Sequence, residues 1–187
     1  GSDNATPTVV VDPKIVASNV NVVYSAGSYY TIKVYGNDGK LANGVTVKIT
    51  GKISKTLRSL NGIAKFKITQ VPGKYKITIN ALGKKVSKTI TVKHIVTLKT
   101  ATLKKSAKKL TLQATLAKAN GKYLAKKTIT FKINGKKVAT AKTNSKGVAK
   151  ITIKNPSVVK KLKVGKKITY QATYLKDTVK KTAKVKK

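Results

Sequence analysis

The chain carries one pattern of residues twice. The segment Lys40–Lys52 returns as Lys122–Lys136, and Asn61–Thr69 returns as Lys146–Lys154. A repeat of this length within 187 residues indicates two copies of one small domain, each large enough to bury a core. Tandem arrays of such units usually extend or present a surface rather than catalyse a reaction.

The spacing between matching positions places the copies and one insertion. Matching residues lie 84 positions apart at Val47 and Phe131 but 93 apart at Tyr75 and Ile168. The second copy therefore holds extra residues, which we place at 155–162 and expect to form a turn of helix or a longer loop. We assign residues 8–93 to the first domain and 95–187 to the second. We expect residues 1–7 to be a tag remnant and a loose N-terminal segment.

Apolar residues alternate with lysine and threonine in segments such as Val45–Ile49 and Ile129–Ile133. This period of two is typical of strands that have one buried face and one solvated face. Leu103–Leu112 is also interpreted as strand because its flanks are rich in threonine. Short strands separated by tight turns predict an all-β chain built of sandwiches or barrels. The turns are predicted at Asp38-Gly39, Asn43-Gly44, Asn61-Gly62, Pro72-Gly73, Asn120-Gly121, Asn134-Gly135 and Lys146-Gly147.

The charge of the chain is strongly one-sided. Lysine and arginine number 42 against 4 acidic residues, which gives a formal net charge of +38, and Arg58 is the one arginine. Lysine is suited to diffuse attraction to polyanions, because its ammonium lacks the bidentate geometry of arginine. Outward strand positions explain the lysines, but ordinary solvated faces mix both signs of charge. The scarcity of acids indicates either contact with an anionic matrix or a local codon bias.

The inventory of reactive residues argues against an enzyme. The acidic residues are four scattered aspartates, there is no glutamate and no cysteine, and His94 is the one histidine. Paired carboxylates for acid–base catalysis and clusters of metal ligands are therefore not expected. Counting does not exclude a Ser–His–Asp arrangement through His94, but no nucleophile motif supports one. We interpret His94 as a solvated linker residue and predict no catalytic, cofactor-binding or metal-binding residues.

Two further residues each have two interpretations. Asp12 could assist a lysine–asparagine cross-link of the kind found in some surface sandwiches, but the usual helper is a buried glutamate. A turn residue preceding Pro13 is the favoured interpretation of Asp12. Asn4 begins the sequon Asn4-Ala5-Thr6, which is a glycosylation site or a chance match.

Nucleic acid is the rival partner for so cationic a chain. Base readout favours arginine, and single-strand binding favours aromatic residues interleaved with cations. The chain has 2 phenylalanines and 8 tyrosines. We expect five strand tyrosines to pack in the cores, and hence no specific nucleic-acid binding: Tyr29, Tyr30, Tyr35, Tyr75 and Tyr170.

Four segments of the first copy resemble a known family. These segments, Tyr24–Val34, Asn37–Val47, Asn61–Phe66 and Pro72–Ile79, are similar to the immunoglobulin-like repeats of adhesin-like surface proteins in methanogenic archaea. Bacterial immunoglobulin-like and carboxypeptidase-regulatory-like modules share the same order of elements. The second copy departs from the pattern, because Lys146-Gly147 replaces Asn-Gly and its late strand lacks a Pro-Gly-x-Tyr motif.

The resemblance implies two tandem immunoglobulin-like β-sandwich domains of a non-catalytic, extracellular cell-surface module. Such a module serves as a stalk or in attachment to a wall or host. The implied partners are anionic cell-wall or cell-surface polymers and the surface of another cell, and the module is expected to be a monomer. No apolar run approaches the 18 residues of a membrane span. The alternative function is a general polyanion-binding or nucleic-acid-binding protein.

Overall fold

The computed structural model describes residues 9–187, so the predicted segment 1–7 and the sequon at Asn4 lie outside the described residues. The regular secondary structure of the described chain is almost entirely β-strand. Its elements are, in order, β1 Lys14–Val16, β2 Val20–Val23, β3 Tyr29–Tyr35, β4 Thr46–Gly51, β5 Lys55–Arg58, β6 Ile63–Lys67, β7 Gly73–Ala81, β8 Lys84–Lys93, β9 Val96–Leu98, β10 Lys109–Leu116, β11 Thr128–Ile133, β12 Lys136–Lys142, β13 Val148–Lys154, α1 Ser157–Lys160, β14 Lys167–Tyr174 and β15 Asp177–Lys184.

The strands form two compact units, each with two sheets. The first unit takes the described residues up to Val22 and Gly27–Lys93, and the second takes Val23–Ala26 and His94–Lys187. The sheets of the first unit have the orders β1-β3-β6 and β2-β8-β7-β4-β5. Those of the second have the orders β13-β10-β9 and β12-β11-β14-β15. In the second unit, the first, second and fifth strands form one sheet and the third, fourth, sixth and seventh form the other, which is the order of an immunoglobulin-like sandwich, and β3–β8 of the first unit are divided between its sheets in the same way. The predicted all-β, immunoglobulin-like fold class is confirmed.

The core of each unit follows from the alternation in its strands. In β3 the side chains of Tyr30, Ile32 and Val34 are buried while their neighbours are exposed or half-buried. The hydroxyl of Tyr30 donates a hydrogen bond to the Ser18 carbonyl at 2.8 Å, and burial raises the pKa of Tyr30. Burying one side of every strand leaves the other side, with its lysines and threonines, facing solvent.

A tyrosine corner joins strand and loop in the first unit. The Tyr75 hydroxyl, near the start of β7, donates to the Val71 carbonyl at 2.6 Å. A tyrosine that bonds back to the chain just before this strand is a hallmark of immunoglobulin-like sandwiches. The Pro72-Gly73-x-Tyr75 sequence therefore has a structural role in the first unit. The second unit has Ile168 at the matching position and forms no such bond through it.

One hairpin turns at a predicted Asn-Gly pair, and others turn elsewhere. Asn134 and Gly135 join β11 to β12 with φ of 48° and 80°, as a two-residue hairpin loop requires. Two hairpins without an Asn-Gly pair were not predicted, because leucine rarely marks a turn. They turn at Leu82, with φ of 51°, and at Leu175, with φ of 52°.

The structure tests two predictions for the second unit, the insertion at 155–162 and the strand over Leu103–Leu112. The insertion at 155–162 contains the single helical turn α1, whose Val159 is buried. The prediction of strand throughout Leu103–Leu112 is wrong in its first half, because β10 begins at Lys109. Leu103 is nevertheless 1% exposed, so it serves the core from a loop and needs no strand alternation to do so.

A buried hydroxyl holds the same loop in both units. In the first unit the Ser59 hydroxyl donates to the Ala42 carbonyl at 2.7 Å and accepts from the Val45 amide at 2.9 Å. In the second, the Thr143 hydroxyl donates to the Leu124 carbonyl at 2.6 Å and accepts from the Lys127 amide at 3.0 Å. Ser59 is 4% and Thr143 is 3% exposed. The duplication thus preserves a hydrogen-bonding arrangement as well as a hydrophobic pattern.

We expect Ser59→Ala and Thr143→Val each to lower the free energy of unfolding of its own unit by about 1–3 kcal/mol, because two backbone groups lose a buried partner. Denaturant unfolding followed by circular dichroism measures the change. Thr111→Val, at an exposed position of β10, is the control and should change stability by less than about 0.5 kcal/mol. An equal effect of all three substitutions would show that the two hydroxyl groups have no special role.

Candidate polyanion-binding faces

The outer face of the four-stranded sheet in the second unit carries a row of cations. Lys132 pairs with Lys137 on one side and with Gln171 on the other, and Gln171 pairs with Lys180. These four residues lie side by side across β12, β11, β14 and β15, with neighbouring strands about 4.8 Å apart. Three ammonium groups and one amide therefore lie along a line that crosses the strands. We call this line the lysine row.

A row of hydroxyl groups runs next to the lysine row. Thr140 pairs with Thr130, Thr130 with Thr173, and Thr173 with Thr178. The hydroxyls of Thr173 and Thr178 are hydrogen-bonded at 2.8 Å. In β11, β14 and β15 the two rows are two residues, or about 7 Å, apart, and in β12 they are three residues apart because the pairing register shifts at Lys132. The face therefore presents hydroxyl and ammonium groups in parallel bands.

The three-stranded sheet of the second unit repeats this banding. Lys109 lies opposite Lys154, and Gln113 lies opposite Lys150. Thr111 and Thr152 are opposed between these two pairs. Directly opposed like charges are mildly destabilising in a sheet, so this arrangement does not contribute to stability.

Few carboxylates oppose these cations. Within residues 9–187 the contacts between a basic side chain and a carboxylate are Lys84–Asp12, at 3.8 Å, and His94–Asp177, at 2.5 Å. Asp38 accepts a hydrogen bond from the Lys40 amide at 3.0 Å and so closes its own turn. The lysines of the outer faces thus remain available to an external polyanion.

His94 and Asp177 form a buried hydrogen-bonded cluster that was not predicted. The Asp177 carboxylate is fully buried, and it accepts from the Ile95 amide at 2.7 Å and the Val96 amide at 3.1 Å. The other oxygen of the Asp177 carboxylate lies 2.5 Å from Nδ1 of His94, whose side chain is 57% exposed. His94 is exposed and is the residue where the chain passes into the second unit, as a solvated linker residue would be, but its contact with Asp177 was not expected. The cluster has the chemistry of a structural tie between the start of the second unit and β15.

Asp12 is not placed to assist a cross-link. Its carboxylate is 92% exposed, and the residue lies in an irregular segment just before β1. The buried polar and charged side chains of residues 9–187 are Ser59, Thr143, Gln171 and Asp177, so no described lysine is buried. A cross-link of this class requires a buried lysine beside a carboxyl group, and these residues do not provide that pair.

The prediction that five tyrosines pack in the cores is right in part. Tyr30 and Tyr170 are 1% exposed. Tyr35 and Tyr75 are half-buried, and Tyr29 is 56% exposed on the outer face of β3. The Lys65 ammonium lies 5.2 Å from the centre of the Tyr29 ring, which is the distance of a cation–π contact. Tyr29 was assigned to the wrong face because Tyr29 and Tyr30 are adjacent and only one of them can point inwards.

The described residues offer little for other kinds of site. Residues 9–187 hold no group of three histidine, cysteine or acidic side chains that could bind a metal ion. No helix of this part of the chain is long and apolar enough to cross a membrane.

No protein-family model and no curated protein matches this sequence. Among solved structures, the I9–I11 tandem of titin is 15% identical over 93% of this chain and 65% of its own, with a TM-score of 0.47. A membrane-anchored protein of Corynebacterium diphtheriae is 11% identical over 92% of this chain and 53% of its own, with a TM-score of 0.46. The fibronectin(III)-like modules of Clostridium thermocellum CbhA are 16% identical over 92% of each chain, with a TM-score of 0.29.

This chain thus spans less than two thirds of the titin tandem and about half of the Corynebacterium protein. At these identities and TM-scores the likeness concerns the fold alone. The assignment of each unit as an immunoglobulin-like sandwich rests on the chain's own sheet order and on the tyrosine corner of the first unit.

Proposed function

We propose that this chain is a non-catalytic, extracellular module that attaches a cell surface to anionic polymers. The observation that carries the proposal is the lysine row, formed by Lys132, Lys137 and Lys180, on a face where no carboxylate of residues 9–187 forms a salt bridge with it. A sheet does not need such a row for its stability, because aligned like charges are unfavourable. An anionic polymer lying across the strands would neutralise the row.

The proposed mechanism is electrostatic and mechanical. The sandwiches hold the cations at fixed cross-strand spacing, and a flexible polyanion gains contacts with several ammonium groups at once. Each unit is proposed to fold as an independent domain of a stalk, and the chain to act as a monomer. The adhesin-like archaeal surface proteins that the sequence resembles provide the biological setting of this proposal.

A role in nucleic-acid binding is the second candidate, and one observation favours it. Tyr29 is exposed and lies under the Lys65 ammonium, which is the combination of aromatic ring and cation that single-stranded binding surfaces use. The sequence argument against nucleic acid assumed that Tyr29 packs in a core, and its exposure weakens that argument. This observation concerns one face of the first unit and does not involve the lysine row.

We expect the protein to be retained on an acidic polysaccharide column at low salt and released at about 0.5 M NaCl, where the screening length falls to a few Å. A triple variant, Lys132→Gln with Lys137→Gln and Lys180→Gln, should elute earlier than the parent. The control removes the same charge from exposed positions outside the candidate faces by Lys85→Gln, Lys146→Gln and Lys161→Gln. A lysine row that binds as a unit predicts the earlier elution for the first triple variant.

Three results would contradict the proposal. Retention that salt does not weaken would exclude an electrostatic mechanism. Saturable binding to a neutral glycan under the same conditions would indicate a different ligand. Strong preference for single-stranded DNA over the acidic polysaccharide would favour the second candidate function.

A further inference from the structure

The outer face of β3 in the first unit differs from the other faces, because it combines aromatic, aliphatic and cationic side chains. Tyr29 and Tyr35 lie on the same side of this strand, about 20 Å apart over six residues. Lys33 lies between them, and its neighbours across the sheet are Val16 and Ile63, which are 42% and 38% exposed. Such a face can contact both the apolar and the charged parts of a ligand.

A cavity of about 340 Å³ opens at the Tyr35 end of this face. Lys14 and Tyr35 are cross-strand partners, and the Lys14 ammonium lies 5.2 Å from the centre of the Tyr35 ring. The segment before β1 forms another wall, and the Val11 amide fixes it by donating to the Asn37 carbonyl at 2.8 Å. The cavity is lined by Val11, Asp12, Lys14, Tyr35, Gly36 and Gly39.

The two charged side chains at this cavity, Lys14 and Asp12, have opposite charges and form different kinds of hydrogen bond. The Lys14 ammonium attracts a carboxylate and donates hydrogen bonds. The Asp12 carboxylate is 92% exposed and, being ionised, can only accept hydrogen bonds, as from the hydroxyl groups of a sugar. Its nearest cation, Lys84, is 3.8 Å away, so the carboxylate keeps free acceptor positions.

We propose that this face binds a carboxylated oligosaccharide, with one acidic sugar in the cavity and the chain extending along β3 towards Tyr29. In the cavity Lys14 pairs with the sugar carboxylate, Asp12 accepts from sugar hydroxyls, and the Tyr35 ring packs against the apolar face of the sugar. Lys33 and Lys65 pair with carboxylates farther along, and Tyr29 packs against the last sugar. An oligodeoxynucleotide fits less well, because its sugars have no free hydroxyl groups along the chain to donate to Asp12. This inference rests on the proposed function for the class of polymer.

The test is an NMR titration of the full chain with tetragalacturonate, compared with maltotetraose and oligo(dT). We expect tetragalacturonate to shift the amide signals of residues 11–14 and of β3 most strongly. Asp12→Asn, Lys14→Gln and Tyr29→Ala should each weaken binding by about three- to tenfold. Tyr29→Phe should retain the affinity, since the ring is kept. Lys161→Gln removes one exposed charge at the end of α1, outside the candidate faces, and should leave the affinity unchanged.

The outcomes separate this site from the broader proposal. Part of the binding at the cavity should persist at a salt concentration that releases the protein from the polysaccharide column. Shifts spread evenly over lysines of both units, or equal effects of Lys14→Gln and Lys161→Gln, would overturn the site and leave diffuse polyanion binding intact. Binding of maltotetraose at the cavity together with failure of the column experiment would overturn both proposals. Tighter binding of oligo(dT), lost in Tyr29→Ala, would assign this face to nucleic acid instead.

Discussion

Replacing Asp177 with alanine is expected to lower the free energy of unfolding of the second unit by about 3–5 kcal/mol. Asp177 is 0% exposed, and its carboxylate accepts from the amides of Ile95 and Val96 and from Nδ1 of His94. Alanine would leave two buried N–H groups without acceptors, each at a cost of about 1–3 kcal/mol. Denaturant unfolding followed by circular dichroism should show the transition of the second unit at lower denaturant.

Two further variants separate the backbone contacts from the histidine contact. Asp177→Asn keeps one carbonyl oxygen for the amides and should cost less than the alanine variant. His94→Ala keeps both backbone bonds and removes a partly exposed ring, so it should cost about 1 kcal/mol. A loss from His94→Ala as large as that from Asp177→Ala would show that the histidine contact, and not the backbone contacts, holds the cluster. An unchanged transition for Asp177→Ala would contradict the whole account.

This cluster marks a limit of prediction from sequence. His94 and Asp177 are separated by 83 residues, so no local pattern connects them. Asp177 follows Lys176 in a lysine-rich hairpin, where a single acidic residue is typical of a solvated turn. A possible signal was its isolation, because it is the one acidic residue of the second copy. A lone acid that persists among so many lysines is a candidate for a specific contact.

The fold itself could be predicted, because its determinants are local and occur twice. Alternation identified strands such as β4 and β11, and the Asn134-Gly135 pair identified the hairpin between β11 and β12. The hydroxyl contacts of Ser59 and Thr143 could not be predicted, since each reaches a loop more than a dozen residues away. Their matching places in the two copies are visible only when the carbonyl and amide partners are known.

The sequence predicts that the outer faces carry lysines, but it does not predict which lysines lie side by side. The sequence indicates that lysines occupy outward positions, yet the alignment of Lys132 with Lys137 and Lys180 depends on the register of four strands. Register depends on the hairpin turns and on the packing of the opposite face, neither of which the lysines determine. The same reasoning explains Tyr29, whose outward position follows from the burial of Tyr30.

Gly51→Ala is expected to lower the free energy of unfolding of the first unit by about 3 kcal/mol. Gly51 ends β4 with φ of +103°, a conformation that side-chain-bearing residues rarely adopt. A Cβ atom there would lie 2.6 Å from the carbonyl oxygen of Lys76 and 3.3 Å from Cα of Ile77. These are backbone atoms of β7, the central neighbour of β4, so they cannot move aside without disturbing the sheet.

Gly135→Ala is the matched control, because Gly135 occupies the corresponding place in the second copy. Its φ is +80°, but a Cβ atom there would meet nothing within 4 Å. The substitution should therefore cost only the backbone strain, about 1 kcal/mol. The same denaturant measurement applies to both variants, each read on the transition of its own unit. Equal losses would show that the positive φ alone sets the loss of unfolding free energy at both glycines. The close approach of β4 to β7 at Gly51 would then contribute nothing.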